Sequence, residues 1–226
     1  MNQCQYHAAL DLSGAEAALA VMPIDETTVC FSAFRAMRGR GAALLLEWIE
    51  NCLREHQLDL TAVTRWTVGS GPGSFTGLRL AAALVGGLIF GHHECVARTL
   101  PTAFALAAGS RAAAGESVAA LFDGRNRELL LFGMRRTGTG VEADGCSIVV
   151  DAVTAPAALS GYQHLTAAEA NRDAITQLLS PELTARVEFF PHLPVATLLT
   201  LPSDNWNNDL TELVYVRQAV FTQPAV

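Results

Sequence analysis

At 226 residues, half of them hydrophobic, the chain can bury a substantial core, and its composition excludes a disordered protein. Its formal net charge of −7 argues against a protein that grips nucleic acid unaided, because neutralising phosphates needs a basic surface. All 15 basic residues are arginine, which removes a phosphate-loop lysine, a Schiff-base lysine and a lysine general base.

Residues 7–21 alternate weakly around Ala9, Leu10 and Leu12, then Ala18, Leu19 and Val21, with Ser13 and Gly14 between them. That predicts a β-hairpin, and residues 28–34 supply a third strand. From Ala42 the period becomes helical. Leu45, Trp48, Ile49, Cys52 and Leu53 share one face and Glu47, Glu50, Asn51 and Arg54 the other, so an amphipathic helix is expected to Glu55. A strand over 65–68 leads into a glycine-rich loop, and a buried helix follows over 78–90. Next come a strand at 95–98, a helix from Thr102 to about Ala114 with Pro101 suiting its first turn, and apolar strands at 117–123 and 127–134 joined by a turn at Gly124 and Asn126. Further expectations are a loop at Gly138 and Gly140, strands at 146–153, 187–190 and 213–216, helices at 167–179 and 194–201, and a frayed tail after Val220. This order is that of an α/β layer protein with a mixed sheet. A boundary near residue 100 divides it into residues 1–100 and a looser 101–226, with Asp11 and Asp123 each ending a strand at a turn.

The loop, Gly69-Ser70-Gly71-Pro72-Gly73-Ser74-Phe75-Thr76-Gly77, is the most distinctive stretch. Its glycines allow positive φ and close approach, and Ser74 or Thr76 can cap the helix. Such a loop tends to hold a phosphate or a carboxylate. Without lysine or a convincing second half-site, the better reading is geometric: a sharp turn into a helix whose small residues admit a neighbour. Ala81, Ala82, Ala83, Gly86 and Gly87 give that helix a smooth face, and Leu44, Leu46 and Trp48 leave the first helix more apolar area than one sheet needs. Together the two helices form a candidate partner surface, with Leu45, Trp48, Ile49, Cys52, Leu78, Ala82, Val85, Gly86 and Ile89 as its residues. Packing on their own sheet is the alternative.

Asp11 with Ser13, and Asp123, either face a shared cleft that binds a metal or a nucleotide's phosphates, or simply accept turn N–H groups. His7, His56, His92, His93, His164 and His192 make no metal-binding spacing and are expected solvated or partly buried. The five cysteines form no C-x-x-C pair and read as buried free thiols. Ser70, Ser74 and Thr76 lack nucleophile-elbow spacing. Arg35, Arg38 and Arg40 read as a solvated loop. The N-terminus is not that of a signal peptide, and the most apolar segment is too short for the ~20 residues of a membrane span. A soluble cytoplasmic protein without membrane contact is the expectation.

The run GSGPGSFTGLR, ending at Arg79, closely resembles the G-x-G-P-G-S-F-T-G-x-R pattern of the TsaB (YeaZ) family, which takes part in making N6-threonylcarbamoyladenosine on tRNA. Weaker likenesses lie in Ala9-Leu10-Asp11-Leu12-Ser13, in residues 99–107, in residues 120–129 and in Tyr215-Val216-Arg217. Two departures stand out. The histidine that the family carries shortly before its first long helix is missing, Arg38-Gly39-Arg40-Gly41 standing there, and Arg127 replaces the glycine of the family's G-E pair.

The resemblance implies an actin/Hsp70-like ATPase (ribonuclease H-like) fold: mixed sheets with flanking helices in two subdomains, with a degenerate nucleotide site at Asp11, Ser13 and Asp123. It also implies a non-catalytic scaffold that carries no cofactor, binds and stabilises a TsaD-type catalytic subunit, and is joined by a TsaE-type ATPase. Alone it would form a homodimer, and it would meet tRNA only through the complex. The alternatives are a glycoprotease-like peptidase and an independent nucleotide-binding protein or kinase on the same fold.

Overall fold

The computed structural model describes residues 4–37, 43–202 and 205–214. Strand β1 (Tyr6–Asp11) is buried at every position after Tyr6, as befits a central strand covered on both faces. It pairs antiparallel with β2 (Glu16–Pro23), which pairs with β3 (Phe31–Ala36), and parallel with β4 (Val63–Gly69), which pairs with β5 (Val96–Leu100). The sheet order is therefore β3-β2-β1-β4-β5.

After Leu100 the same plan is built again. Strand β6 (Ser117–Arg125) is central, β7 (Glu128–Arg136) and β8 (Val141–Val150) form an antiparallel meander on one side, and β9 (His164–Ala168) and β10 (Val187–Phe190) lie parallel on the other. Helices α1 (Leu45–Glu55) and α2 (Phe75–Ile89) cover the outer face of the first sheet. Helices α4 (Ala155–Leu159), α5 (Arg172–Leu178) and α6 (Pro181–Ala185) flank the second. Between the sheets lies a shared core holding α3 (Thr102–Gly109) and α7 (Thr197–Thr200), with Ala9, Ala18 and Met22 from one side and Val118, Ala120 and Phe132 from the other. The chain after α7 returns to the first sheet. Asn208 bonds both ways with Ala97 of β5, and Leu210 enters the core beneath α2.

Several elements differ from the sequence-based expectation. Helix α2 starts at Phe75 because Ser74 is its cap, its Oγ accepting the Gly77 N–H at 3.2 Å. Helix α3 ends at Gly109, and β8 starts at Val141, its register broken opposite Phe132 and Met134 near the left-handed Gly145. The helix expected over 167–179 is confined to 172–178, because 164–168 is drawn into parallel pairing with β6 on one side and β10 on the other. Short α4 and α6 carry no periodic signal. Leu213 and Val214 are not in a strand, and Tyr215 onward, like Arg38 and Arg40, lies outside the described residues. Cys52 is the one buried cysteine among the described residues, Cys4 and Cys30 being exposed.

His7 is buried rather than solvated. Its Nε2 lies 2.8 Å from Thr67 Oγ1, which also accepts from Arg98 Nε at 2.9 Å. The Arg98 guanidinium bonds the carbonyls of Leu198 and Leu201 and lies over the Trp206 ring. Burial, then the nearby Arg98 and Arg65 charges, hold the His7 imidazole at a pKa of about 3. The unfolded chain therefore binds a proton that the fold refuses, so this residue's contribution is intact above about pH 6.5 and is lost as pH falls toward 3. Urea titrations of His7→Gln across that window should show a flatter acid slope, by up to about 1.4 kcal/mol per pH unit.

Candidate functional site: the glycine loop, its aspartate and the open helix face

The carboxyl ends of β1, β4 and β5 meet at one point, where parallel strands of an α/β sheet ordinarily receive ligands. Here the chain fills the point itself. Asp11 Oδ1 accepts the Ser13 N–H at 2.8 Å and the Ser13 hydroxyl at 2.6 Å, and Oδ2 accepts the Thr102 hydroxyl at 2.5 Å. Thr102 Oγ1 in turn accepts the Gly71 N–H at 3.0 Å, and the Thr102 N–H returns to the Gly71 carbonyl at 2.7 Å. Burial pushes the Asp11 carboxyl up, and the Ser13 and Thr102 hydrogen bonds pull it back.

The loop's glycines are required by this closeness. A methyl group on Gly69 would collide with the Asp11 carboxylate, one on Gly73 with Ser13, and one on Gly77 with the Leu12 carbonyl. Gly71, at φ +99°, is left-handed and precedes a cis Pro72. The Ser70 N–H bonds Leu100 and the Ser74 N–H bonds Ser13, so the amides of 70, 71, 74 and 77 are all committed within the chain. None of these four amides is bonded to Asp11; the loop instead folds over that carboxylate, which Ser13 and Thr102 hold. Gly73, Ser74, Phe75 and Thr76 remain exposed at the tip, with Arg79 lying over the Phe75 ring. Thr102, the residue that closes the hub, was visible in the sequence only as a threonine opening a helix after proline.

Asp123 is exposed, and its Oδ1 accepts the Arg125 N–H at 2.7 Å. Its own N–H bonds Asn171 Oδ1 at 3.2 Å. No hydrogen bond joins it to the Asp11 cluster among the described residues, and none of their His, Cys, Asp and Glu side chains gather in threes as a metal would need. Beyond Asp123 the β6–β7 turn has Arg125, Asn126 and Arg127 at φ 60°, 52° and 61°. The turn expected at Gly124 and Asn126 is thus carried by three non-glycine residues, each at about 1 kcal/mol or more.

The partner-surface residues divide sharply. Leu45, Ile49, Cys52 and Val85 are buried in the first sheet's core and Leu78 is buried too, so these five have no surface to offer, which corrects the expectation for them. Trp48, Ala82, Gly86 and Ile89 are half-buried. Leu44, Leu46, Ala83, Gly87 and Phe90 are exposed, the last by 85%. A Cβ on Gly86 or Gly87 would meet nothing within 4 Å, so no packing inside the chain asks for either glycine.

The duplicated strand order, two meanders each followed by two parallel strands around a shared core, defines an actin/Hsp70-like, ribonuclease H-like fold. Among solved structures, YeaZ from Pseudomonas aeruginosa is similar with a TM-score of 0.64 at 22% identity, over 87% of this chain and 90% of that one. A second structure, described as an uncharacterized protein with similarity to peptidase YEAZ from Pseudomonas aeruginosa, gives 0.62 at 24% identity, over 86% and 88%. Ethanolamine utilization protein EutJ from Carboxydothermus hydrogenoformans gives 0.50 at 12%, over 87% and 88%. These likenesses speak for the fold. No curated protein sequence matches the chain. The sequence pattern of the TsaD family, tRNA N6-adenosine threonylcarbamoyltransferase, matches residues 41–194, and the chain belongs to that family, with a TsaB (YeaZ)-like fold.

Removing the central carboxylate should destabilise rather than merely silence the protein. Asp11→Ala strands one N–H and two hydroxyls in the core and is expected to lower the unfolding free energy by about 2–3 kcal/mol in urea titration. Gly69→Ala, which drives a methyl into the same carboxylate, should reduce the yield of folded protein or the Tm in the same direction.

Proposed function

We propose that the chain is a non-catalytic dimerisation subunit of the cytoplasmic machinery that makes N6-threonylcarbamoyladenosine on tRNA. In this reading the open face of α1 and α2 binds and stabilises a TsaD-type catalytic subunit, a TsaE-type ATPase joins the pair, and the isolated chain closes the same face on a second copy. The observation that carries it is the pair Gly86 and Gly87 in open space. Glycine inside a helix costs ~1 kcal/mol relative to alanine, and here nothing in the chain compensates, whereas a helix from another subunit could approach closely. Leu44 and Leu46 at the start of α1 and Phe90 at the end of α2 add exposed apolar area on these helices.

The Asp11 hub is consistent with a scaffold, since its carboxylate and loop amides are engaged in holding strands together. A peptidase would need an activated nucleophile or a metal set, and a kinase would need Asp11 to face a cation. Asp11 instead faces Ser13 and Thr102. No helix among the described residues is long and apolar enough to cross a membrane.

Gly86→Ala and Gly87→Ala should each raise the stability of the isolated chain by up to ~1 kcal/mol, read from urea midpoints. Gly87→Leu should leave it folded, yet stop co-purification with the TsaD-type subunit of the same organism and reduce the solution mass to that of one chain. Assembly of the Gly87→Leu protein with wild-type affinity would sink the scaffold reading.

A further inference from the structure

Among the described residues the two sheets end in four edge strands, β3, β5, β8 and β10, and three of them carry features that discourage another strand from adding. Strand β3 carries Arg35, β10 is four residues long and carries Glu188, and β8 carries exposed Glu142 and Asp144 and a break in register. Strand β5 has none of these. Its register with β4 is unbroken, and its one charged side chain, Arg98, is buried, bonded to Thr67 and to the carbonyls of Leu198 and Leu201.

What covers β5 instead is the chain after α7. Successive residues of β5 turn their main-chain groups alternately to β4 and away from it. The Leu100 carbonyl accepts the Ser70 N–H on the β4 side, so Ala97 and Thr99 turn outward. The Ala97 N–H donates to Asn208 Oδ1 at 2.6 Å, and the Ala97 carbonyl accepts the Asn208 N–H at 3.0 Å. A single asparagine thus takes both positions that a neighbouring strand would use. It does so at φ 60°, outside the extended region, and residues 205–214 contain no strand that would offer an edge of its own. Contacts on either side hold it in place. The centre of the Trp206 ring lies 4.4 Å from the Arg98 guanidinium carbon and 5.2 Å from the centre of the His7 ring, Leu210 is buried, and the Val214 N–H donates to the Ser70 carbonyl at 2.8 Å.

We propose that residues 205–210 are a guard strap whose release opens β5 to antiparallel pairing with β5 of a second copy of the chain. The edge is compatible with itself. With Ala97 facing Ala97 across a two-fold axis, Val96 faces Arg98 and Cys95 faces Thr99, so no two like charges oppose one another. Such pairing returns to Ala97 the two hydrogen bonds that Asn208 supplies.

The test weakens the strap in the full chain with Asn208→Gly, which keeps the left-handed backbone and removes the side-chain acceptor, combined with Trp206→Ala. Amide exchange at Ala97 and solution mass against concentration are compared with wild type, so any dimer formed through another face is common to both. The Ala97 amide is expected to exchange about tenfold faster or more while the β1 amides keep their protection, and the mass should rise above wild type with concentration. Adding Thr99→Pro, which removes an outward N–H without touching the pairing to β4, should return the mass to the wild-type value. Unchanged protection at Ala97 would overturn the proposal, as would a wild-type mass once that amide is open, or an association that Thr99→Pro leaves in place. Loss of β1 protection in the double variant moves the test to Asn208→Gly alone, with the same outcomes.

Discussion

Everything in the first half of the molecule converges on one buried carboxylate. Asp11 ends the central strand, caps the Ser13 turn, and through Thr102 holds the start of α3 and the bend at Gly71. The glycine loop exists in its particular sequence because it must fold over that carboxylate with no side chain in the way. In other α/β sheets the carboxyl ends of the strands leave room for a ligand. This chain closes that room with its own hydrogen bonds, and the point that other folds give to ligands becomes a structural node.

The consequence reaches the surface through α2. The node fixes where the helix begins, with Ser74 as cap, and so fixes the direction in which its small residues point. Leu78, Ala81 and Val85 are buried, whereas Gly87 and Phe90 are left toward solvent and Gly86 is half-buried, and Leu44 and Leu46 at the start of the first helix are exposed as well. Buried polar contacts brace the other flank. Arg98 reaches the carbonyls after α7 while Trp206 lies against Arg98 and His7, so the returning chain is pinned to the edge of β5. The sheet that carries α2 is thus tied at its β5 edge to the chain that returns after α7.

Much of this was legible in the sequence. The glycine spacing, the hairpin ending at Asp11, the α1 period and the two apolar strands after residue 117 each carry a local cause for their structure. What was not legible depends on distant partners. Residues 164–168 become a strand because β6 and β10 offer parallel partners, which no local pattern announces. Helical periodicity selected Leu45, Ile49, Cys52 and Val85, but the stripe it finds is the one a helix already buries against its own sheet. The exposed Leu44 and Leu46, which the sequence had marked as surplus apolar area, and the exposed Phe90 sit off that stripe. The Asp11 node needed Thr102, 91 positions away in sequence.

The most direct test is hydroxyl-radical footprinting of the intact chain, alone and saturated with the TsaD-type subunit. The account predicts that oxidation of Leu44, Leu46, Trp48 and Phe90 falls on assembly, while side chains of the second sheet's exposed edge, such as Ile148, are unaffected. Unchanged labelling of the α1 and α2 face in a complex that demonstrably forms would contradict it.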